Sequence, residues 1–425
     1  MSAIVSTRTA PSRSLLPILT GIALATVAAS CTWANQAQPW VHAGPRSLTV
    51  LPDWAHESTA GLRQALLAQC RVAPRLGAPW PALCAELSAL APGQDDSDPA
   101  LRDWISQRFD AWAVTAPNGA ARGLLTGYFE PVVTGSRQRE SAEQTPLYAP
   151  PVGRDPARPF APRAQIARLQ ASAEAAGELP ASDRPDGAPD PVLDPIATAL
   201  QGRELVWLDD PIDAFFLQIQ GSGRVQLRDG SEMRVGYAGN NGHKYFAIGR
   251  ALIDRGAISR AEMSAQAIRH WLATHPDQAQ AVMNLNPRYI FFRELPAPKA
   301  TFGSEQQAQA VAAPGPIGSL GVALTPGRSL ATDPAFLPAG TLVYLATRPN
   351  TDNGTANPML GRLAVSQDTG SAIRGAVRAD LFTGTGAAAG AQAGTLRDPL
   401  QIWLLWPRGV RPAGKLPFAR VDLDD

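Results

Sequence analysis

Two aspartates stand in surroundings that suit proton transfer. Asp368 lies in Ser-Gln-Asp-Thr-Gly-Ser-Ala-Ile-Arg-Gly, and Asp380 in Ala-Val-Arg-Ala-Asp-Leu-Phe-Thr-Gly-Thr-Gly. A carboxyl flanked by apolar and small residues, rather than set in a turn, loses hydration, so its charged form is disfavoured and its pKa rises. A raised pKa is what a general acid needs. The residues alone leave a plainer reading open, in which either aspartate makes a turn or ladder hydrogen bond. Other chemistries find less support. The histidines His42, His56, His243, His270 and His275 show no metalloprotease spacing and no two cysteines form C-x-x-C, so no metal site is expected. A G-x-S-x-G nucleophile elbow is absent. Gly384-Thr-Gly386-Ala-Ala-Ala389 fits only the loose dinucleotide pattern G-x-G-x-x-A. That pattern needs a strand before it, a helix after it and an acidic residue about twenty positions on, so no nucleotide cofactor is expected.

The stretch carrying both aspartates, from Gly315 onward, reads as short strands between glycine turns, at 321–324, 341–345, 362–367 and 400–406, which indicates a barrel or sandwich. Further strands are expected at 124–131, 205–207 and 215–220, with a hairpin of 225–227 and 233–235 around Asp229-Gly230. Helical spacing joins Leu62, Leu66, Leu67 and Val72, and again Leu101, Trp104, Ile105 and Phe109 behind a start signal at Ser97 and Pro99. Two more helices are expected over 243–255, stopped by Gly256, and 260–274, stopped by Pro276. The proline-rich residues 146–195 read as loop or embellishment around one short helical stretch at 166–175.

At 425 residues the chain predicts two or three domains at roughly 100–200 residues each. A net charge of +1 lacks the clustered basic field of a nucleic-acid binder, so nucleic acid is not an expected partner. Arg8 and Arg13 precede an apolar run over 15–29, too short for a bilayer span and suited to an export signal. The run ends in Ala28-Ala29-Ser30-Cys31, which resembles the lipobox of bacterial lipoproteins and makes Cys31 the expected lipidation site; an ordinary signal cut nearby is the alternative. With Cys31 acylated, Cys70 and Cys84 are left in an oxidising compartment, and a disulfide is expected rather than two buried thiols. Thr32 is not the aspartate that usually retains such proteins in the inner membrane, which favours the outer membrane, facing the periplasm.

Six ordered segments carry a further signal: Leu-Thr-Gly-Tyr-Phe-Glu-Pro (125–131), Asp-Ala-Phe-Phe-Leu-Gln-Ile-Gln-Gly-Ser-Gly (213–223), Tyr-Ala-Gly-Asn-Asn-Gly-His (237–243), Asn-Pro-Arg-Tyr-Ile-Phe-Phe-Arg (286–293), Leu-Thr-Pro-Gly-Arg-Ser-Leu-Ala-Thr-Asp (324–333) and the stretch 368–386. Through them the chain resembles the membrane-bound lytic murein transglycosylase A family. The resemblance implies a mainly β fold with flanking helices: a double-psi β-barrel domain, an inserted second β domain and a glycan groove between them. The implied organisation is a signal peptide (1–30), the N-terminal part of the barrel domain with helices (31–131), the inserted domain (132–308, with 146–195 as embellishment) and the C-terminal part carrying the catalytic aspartate (309–425).

The implied activity is that of a peptidoglycan lytic exotransglycosylase, a carbon–oxygen lyase. It cleaves the β-1,4 bond between N-acetylmuramic acid and N-acetylglucosamine without water or cofactor and leaves 1,6-anhydro-muramic acid ends. Asp380 matches the family's catalytic aspartate, acid first and then base. Asp368 matches a supporting aspartate, and Thr126, Gly127 and Tyr128 match the segment lining the groove beside the acid. Gln218, Gln220, Gly221 and Ser222 match the segment facing the glycan from the second domain, where amides suit sugar hydroxyls and glycines permit close approach. The sequence departs from the family at Ala387-Ala388, where an acidic residue is common. The implied partners are peptidoglycan glycan strands, the membrane through a lipid anchor, and other murein synthases or hydrolases. Two rivals remain: a hydrolytic muramidase using Asp368 to activate water, and a murein-binding scaffold lipoprotein.

Overall fold

The computed structural model describes residues 41–91, 98–155, 157–178, 192–296, 315–349, 359–410 and 412. The signal segment 1–30, Cys31 and Ser97 lie outside the described residues. In chain order the strands are β1 (Val41–Arg46), β2 (Phe109–Val114), β3 (Gly123–Glu130), β4 (Val132–Ser136), β5 (Thr145–Tyr148), β6 (Glu204–Leu208), β7 (Ser222–Leu227), β8 (Glu232–Asn240), β9 (Ile290–Leu295), β10 (Ser329–Thr332), β11 (Leu342–Thr347), β12 (Leu360–Thr369), β13 (Arg378–Thr385) and β14 (Arg397–Pro407).

They form two sheets, ordered β1-β2-β14-β11-β12-β10-β13-β3 and β5-β6-β4-β7-β8-β9. Because β14 also pairs with β3, six strands close into the ring β3-β13-β10-β12-β11-β14, which leaves those strands no open edge. Two pairs in the ring are parallel, β13 with β3 and β10 with β12; the other four are antiparallel. All strands of the second sheet fall between β3 and β10 in sequence, so that sheet is an insertion entered through Pro131. The mainly β fold with helices and an inserted sheet agrees with the expectation from sequence.

Alternation along β11 explains how one apolar run serves two cores. Successive side chains of a strand point to opposite faces. Leu342 and Tyr344 join Leu62, Leu66, Leu87, Leu101 and Trp104 under the N-terminal helices. Val343 and Leu345 join residues from the rest of the ring, among them Leu125, Leu330, Ala364, Ala379 and Leu404. The helices Leu62–Cys70 and Trp80–Ala89 are tied by a Cys70–Cys84 disulfide.

Several elements differ from the sequence expectation. Residues 215–220 are not a strand but the end of a helix, Pro211–Gln220. The Asp210 carboxylate accepts from Ile212 N–H, Pro211 occupies the first turn, and Gly221 ends the helix at a φ of 82°. These end signals outweigh the β preference of the aromatic run. Residues 321–324 contribute only an isolated bridge, Ile317 to Ala323. The helix expected over 243–255 begins at Ile248, and the one expected over 260–274 begins at Ala265, where Ser264 caps it. Pro276 starts a further helix, Pro276–Met283, since its missing N–H is no loss in a first turn. Nor is the proline-rich stretch merely loop. It holds β5, the helix Arg163–Glu178 and the start of Leu193–Leu200, and Tyr148, Ile166, Leu193 and Ile196 form a buried cluster with Tyr289 and Phe291.

Candidate active site

Asp380 is positioned by three adjacent strands. On β13 it lies in register with Thr126 of the parallel strand β3 and, on the other side, with Ala331 of β10. The same register sets Arg378 beside Leu124 and Phe382 beside Tyr128. Residues two apart on a strand share a face, so Arg378, Asp380 and Phe382 come up together, as do Thr126 and Tyr128. Ala331 is also in register with Asp368 on β12, so the strand between the two aspartates contributes only a methyl group there.

The Thr126 hydroxyl donates to Asp380 Oδ1. The same hydroxyl accepts from Arg378 Nη2 at 2.8 Å, while Arg378 Nη1 donates to the backbone oxygens of Leu124 and Ala379. Tyr128 donates to Asp368 Oδ2 at 2.9 Å, and Ser319 N–H donates to Asp368 Oδ1 at 2.9 Å. Tyr128 packs on Phe382 with ring centroids 5.4 Å apart.

Burial pushes the Asp380 carboxyl above the ordinary aspartate value; the Thr126 hydrogen bond and the Arg378 charge pull against it, and the Asp368 charge pushes with it. Asp368 is likewise pushed up by burial, opposed by the hydrogen bonds it accepts from Ser319, Thr369 and Tyr128. Tyr128 is pushed well above the usual phenol range by burial and by Asp368, so it remains a donor. The roles differ accordingly: both oxygens of Asp368 already serve protein donors, while Asp380 has one oxygen committed to Thr126.

The other residues expected at the site separate into distinct tasks. Gly127 is a packing residue: a Cβ there would meet Ala393 Cα at 2.8 Å, so its absence lets the helix Gly386–Thr395 lie against β3. The Gly384-Thr-Gly386 pattern has a comparable explanation, because φ angles of 128° and 84° carry β13 directly into that helix. Gln218 requires a correction. It is 4% exposed and its Oε1 accepts from Arg163 Nη2 at 2.8 Å, so it is buried against the inserted domain rather than presented on a surface. Gln220 does turn toward β3, its Oε1 accepting from Phe129 N–H at 3.3 Å. Gly221 is the left-handed helix end, and Ser222 opens β7 opposite Gly236.

Arg378 and Ser319 escaped the sequence reading. Arg378 was legible in principle, two residues before Asp380 on one strand; a backbone N–H such as that of Ser319 leaves no trace in composition. A cavity of about 600 Å³ lies elsewhere, lined by Tyr148, Gln170, Asp194, Glu204 and Trp207 among others, and shares no residue with the aspartate cluster. Gln144 in its wall is committed to Ser136 and Asp209. Among the described residues, no three His, Cys, Asp or Glu side chains gather where they could hold a metal ion.

Comparison with known proteins reaches the same strands. The family domain described as the MltA specific insert domain matches residues 124–293, and the 3D domain matches residues 328–406. The chain is 32% identical over 300 residues to the membrane-bound lytic murein transglycosylase A of Escherichia coli (strain K12), covering 70% of this chain and 69% of that protein. Among solved structures, the lytic transglycosylase LtgG of Burkholderia pseudomallei is 38% identical with a TM-score of 0.55, covering 88% of this chain and 96% of that one. The structure of E. coli MltA with bound chitohexaose is 26% identical with a TM-score of 0.60, covering 87% of this chain and 95% of that one.

Proposed function

This chain belongs to the membrane-bound lytic murein transglycosylase A family, and from that premise we propose how its residues carry the family's reaction. The protein is a membrane-associated lytic transglycosylase that cleaves the bond between N-acetylmuramic acid and N-acetylglucosamine in peptidoglycan glycan strands. Asp380, protonated, gives its proton to the glycosidic oxygen as the C1–O bond breaks and positive charge develops on the muramic acid ring. As a carboxylate it then takes the proton of the C6 hydroxyl, whose oxygen bonds to C1 and closes the 1,6-anhydro ring. No water enters, and one carboxyl group serves as acid and base because the substrate supplies the nucleophile.

The observation that carries this reading is the contrast between the two aspartates. Asp380 is desolvated and keeps Oδ2 without a hydrogen bond among the described residues, whereas Asp368 has both oxygens taken by Tyr128 and Ser319. A hydrolytic mechanism would need a second carboxylate available to water. Asp368 is instead a supporting charge that keeps the Asp380 proton in place. Tyr128 and Gln220 line the glycan path where the inserted sheet's helix meets β3. A lipid anchor on Cys31 would hold the enzyme to the outer membrane, facing the periplasm.

The test is mass spectrometry of muropeptides released from purified peptidoglycan by the protein in detergent, beside Asp380→Ala. Products ending in 1,6-anhydro-muramic acid, absent from the variant, are expected. Reducing ends would assign hydrolysis, and binding without cleavage would make the protein a murein scaffold.

A further inference from the structure

The hydroxyl of Thr126 has one hydrogen, and the structure specifies where it goes. Its oxygen accepts from the guanidinium of Arg378 at 2.8 Å, and a guanidinium only donates. That oxygen could accept a second bond, but the hydroxyl hydrogen has Asp380 Oδ1 as its acceptor among the described residues, and donation there is what satisfies it. In a neutral carboxylic acid the acceptor oxygen is the carbonyl one and the other oxygen carries the hydrogen.

We propose that Arg378, acting through Thr126, sets which oxygen of Asp380 carries the catalytic proton: Oδ1 is held as acceptor, and Oδ2 both gives the proton to the glycosidic oxygen and later receives one from the C6 hydroxyl. The proposal rests on Asp380 being the acid and makes Arg378 a positioning residue for it. The proton count closes, since Oδ2 loses one hydrogen as C1–O breaks and regains one as the C6 oxygen bonds to C1. Without Arg378 the threonine hydroxyl loses the bond that fixes its orientation, its hydrogen can leave Oδ1, and the acidic proton can then settle on Oδ1, away from the substrate. The guanidinium is itself held in place by the backbone oxygens of Leu124 and Ala379, so the alignment does not depend on bound glycan.

Arg378 also carries charge. The charged and titratable groups facing Asp380 are Arg378 on its own strand, Tyr128 on β3 and Asp368 on β12, with Ala331 between them on β10. Arg378 supplies the positive charge among them. Removing it takes away an interaction that favours the ionised carboxylate, so the alkaline limb of the rate profile should move to higher pH even as turnover falls. A residue that only supported the fold would not shift that limb upward.

The experiment measures kcat and KM against pH for anhydro-muropeptide release by the full-length protein and by Thr126→Val, Thr126→Ser, Arg378→Met, Arg378→Lys and Asp380→Asn. Thermal unfolding of each variant identifies any loss through misfolding. Thr126→Val should lower kcat by on the order of tenfold to a hundredfold with KM changed by less than about twofold. Thr126→Ser should restore it. Arg378→Met should lower kcat and move the alkaline limb up, and Arg378→Lys should return the limb. Wild-type kcat in Thr126→Val, or a limb unmoved or lowered in a folded Arg378→Met, overturns the relay while an inactive Asp380→Asn leaves the acid assignment standing. Turnover retained in Asp380→Asn would instead remove the acid itself, and the relay with it. If Arg378→Met does not fold, the Thr126 pair decides.

Discussion

Asp380 and Asp368 are both pushed above the ordinary aspartate value of 3.8 by burial, and that has a consequence for stability as well as for rate. Asp380 holds its proton more tightly in the folded protein than in the unfolded chain. Its contribution to stability is therefore fully present below the unfolded value and is lost as the pH rises through the raised folded value. Asn at this position does not titrate. Asp380→Asn should thus unfold at a higher temperature than the wild type near neutral pH, with the gap closing as the pH falls toward the unfolded value; thermal melts of both proteins across that range check it, and a gap that widens in acid would contradict the burial argument. The rate carries the same sign, since activity should decline as the pH rises through the Asp380 pKa. That an aspartate among Ala379 and Leu381 is desolvated was legible from its neighbours. That Asp368 has both oxygens occupied was not, because Tyr128 and Ser319 reach it from elsewhere in the chain.

Strand β3 and the helix Gly386–Thr395 form the support behind the acid. Where the helix is buried it carries Ala389, Gly390 and Ala393, and larger side chains would collide with β3: Gly390 faces the Phe129 ring, and Gly127 faces Ala393. Gly127→Ala brings a Cβ to 2.8 Å from Ala393 Cα, and a backbone atom cannot swing aside as a side-chain tip can. This substitution should destabilise the protein by about 1–3 kcal/mol and displace Thr126 and Tyr128, lowering kcat; denaturant unfolding and initial rates measure both. Unchanged unfolding would mean that the helix yields freely. Ala387 and Ala388 are exposed, and nothing in the packing against β3 explains why alanines stand there. At the same scale the sequence reading failed at Pro211–Gln220, where Phe215 and Phe216 suggest a strand but the Asp210 cap, Pro211 and Gly221 make a helix.

The two sheets are joined at Pro131 and held by buried charge. Glu130, at the end of β3, is 1% exposed; it accepts from Arg224 Nε of β7 at 2.8 Å and from Thr385 Oγ1 at the end of β13 at 2.8 Å, and lies 4.0 Å from Arg234 of β8. One carboxylate thus connects the ring to the inserted sheet. Glu130→Ala leaves two arginines without it, and breaking a buried pair in this way costs about 3–5 kcal/mol. The variant should show that loss in denaturant unfolding, together with a raised KM if, as proposed, Gln220 and Tyr128 line the glycan path at the joint. Wild-type stability would mean that apolar packing alone holds the sheets together.

What the sequence determined by itself is local or chemical: the Asp229-Gly230 hairpin, the helix carrying Leu101 and Trp104, the apolar neighbours of Asp380, and the six segments through which the family is legible. Each depends on neighbours within a few residues or on matched residue types, so one dimension suffices. The tertiary structure alone decided the rest. The parallel register of β3 with β13 joins Thr126 to Asp380 across 254 residues and so produces the Arg378–Thr126–Asp380 alignment. Gln218, whose type suits sugar, is buried with its amide oxygen bonded to Arg163. Strand pairing and burial depend on which distant segments meet, and neither periodicity nor composition encodes that meeting.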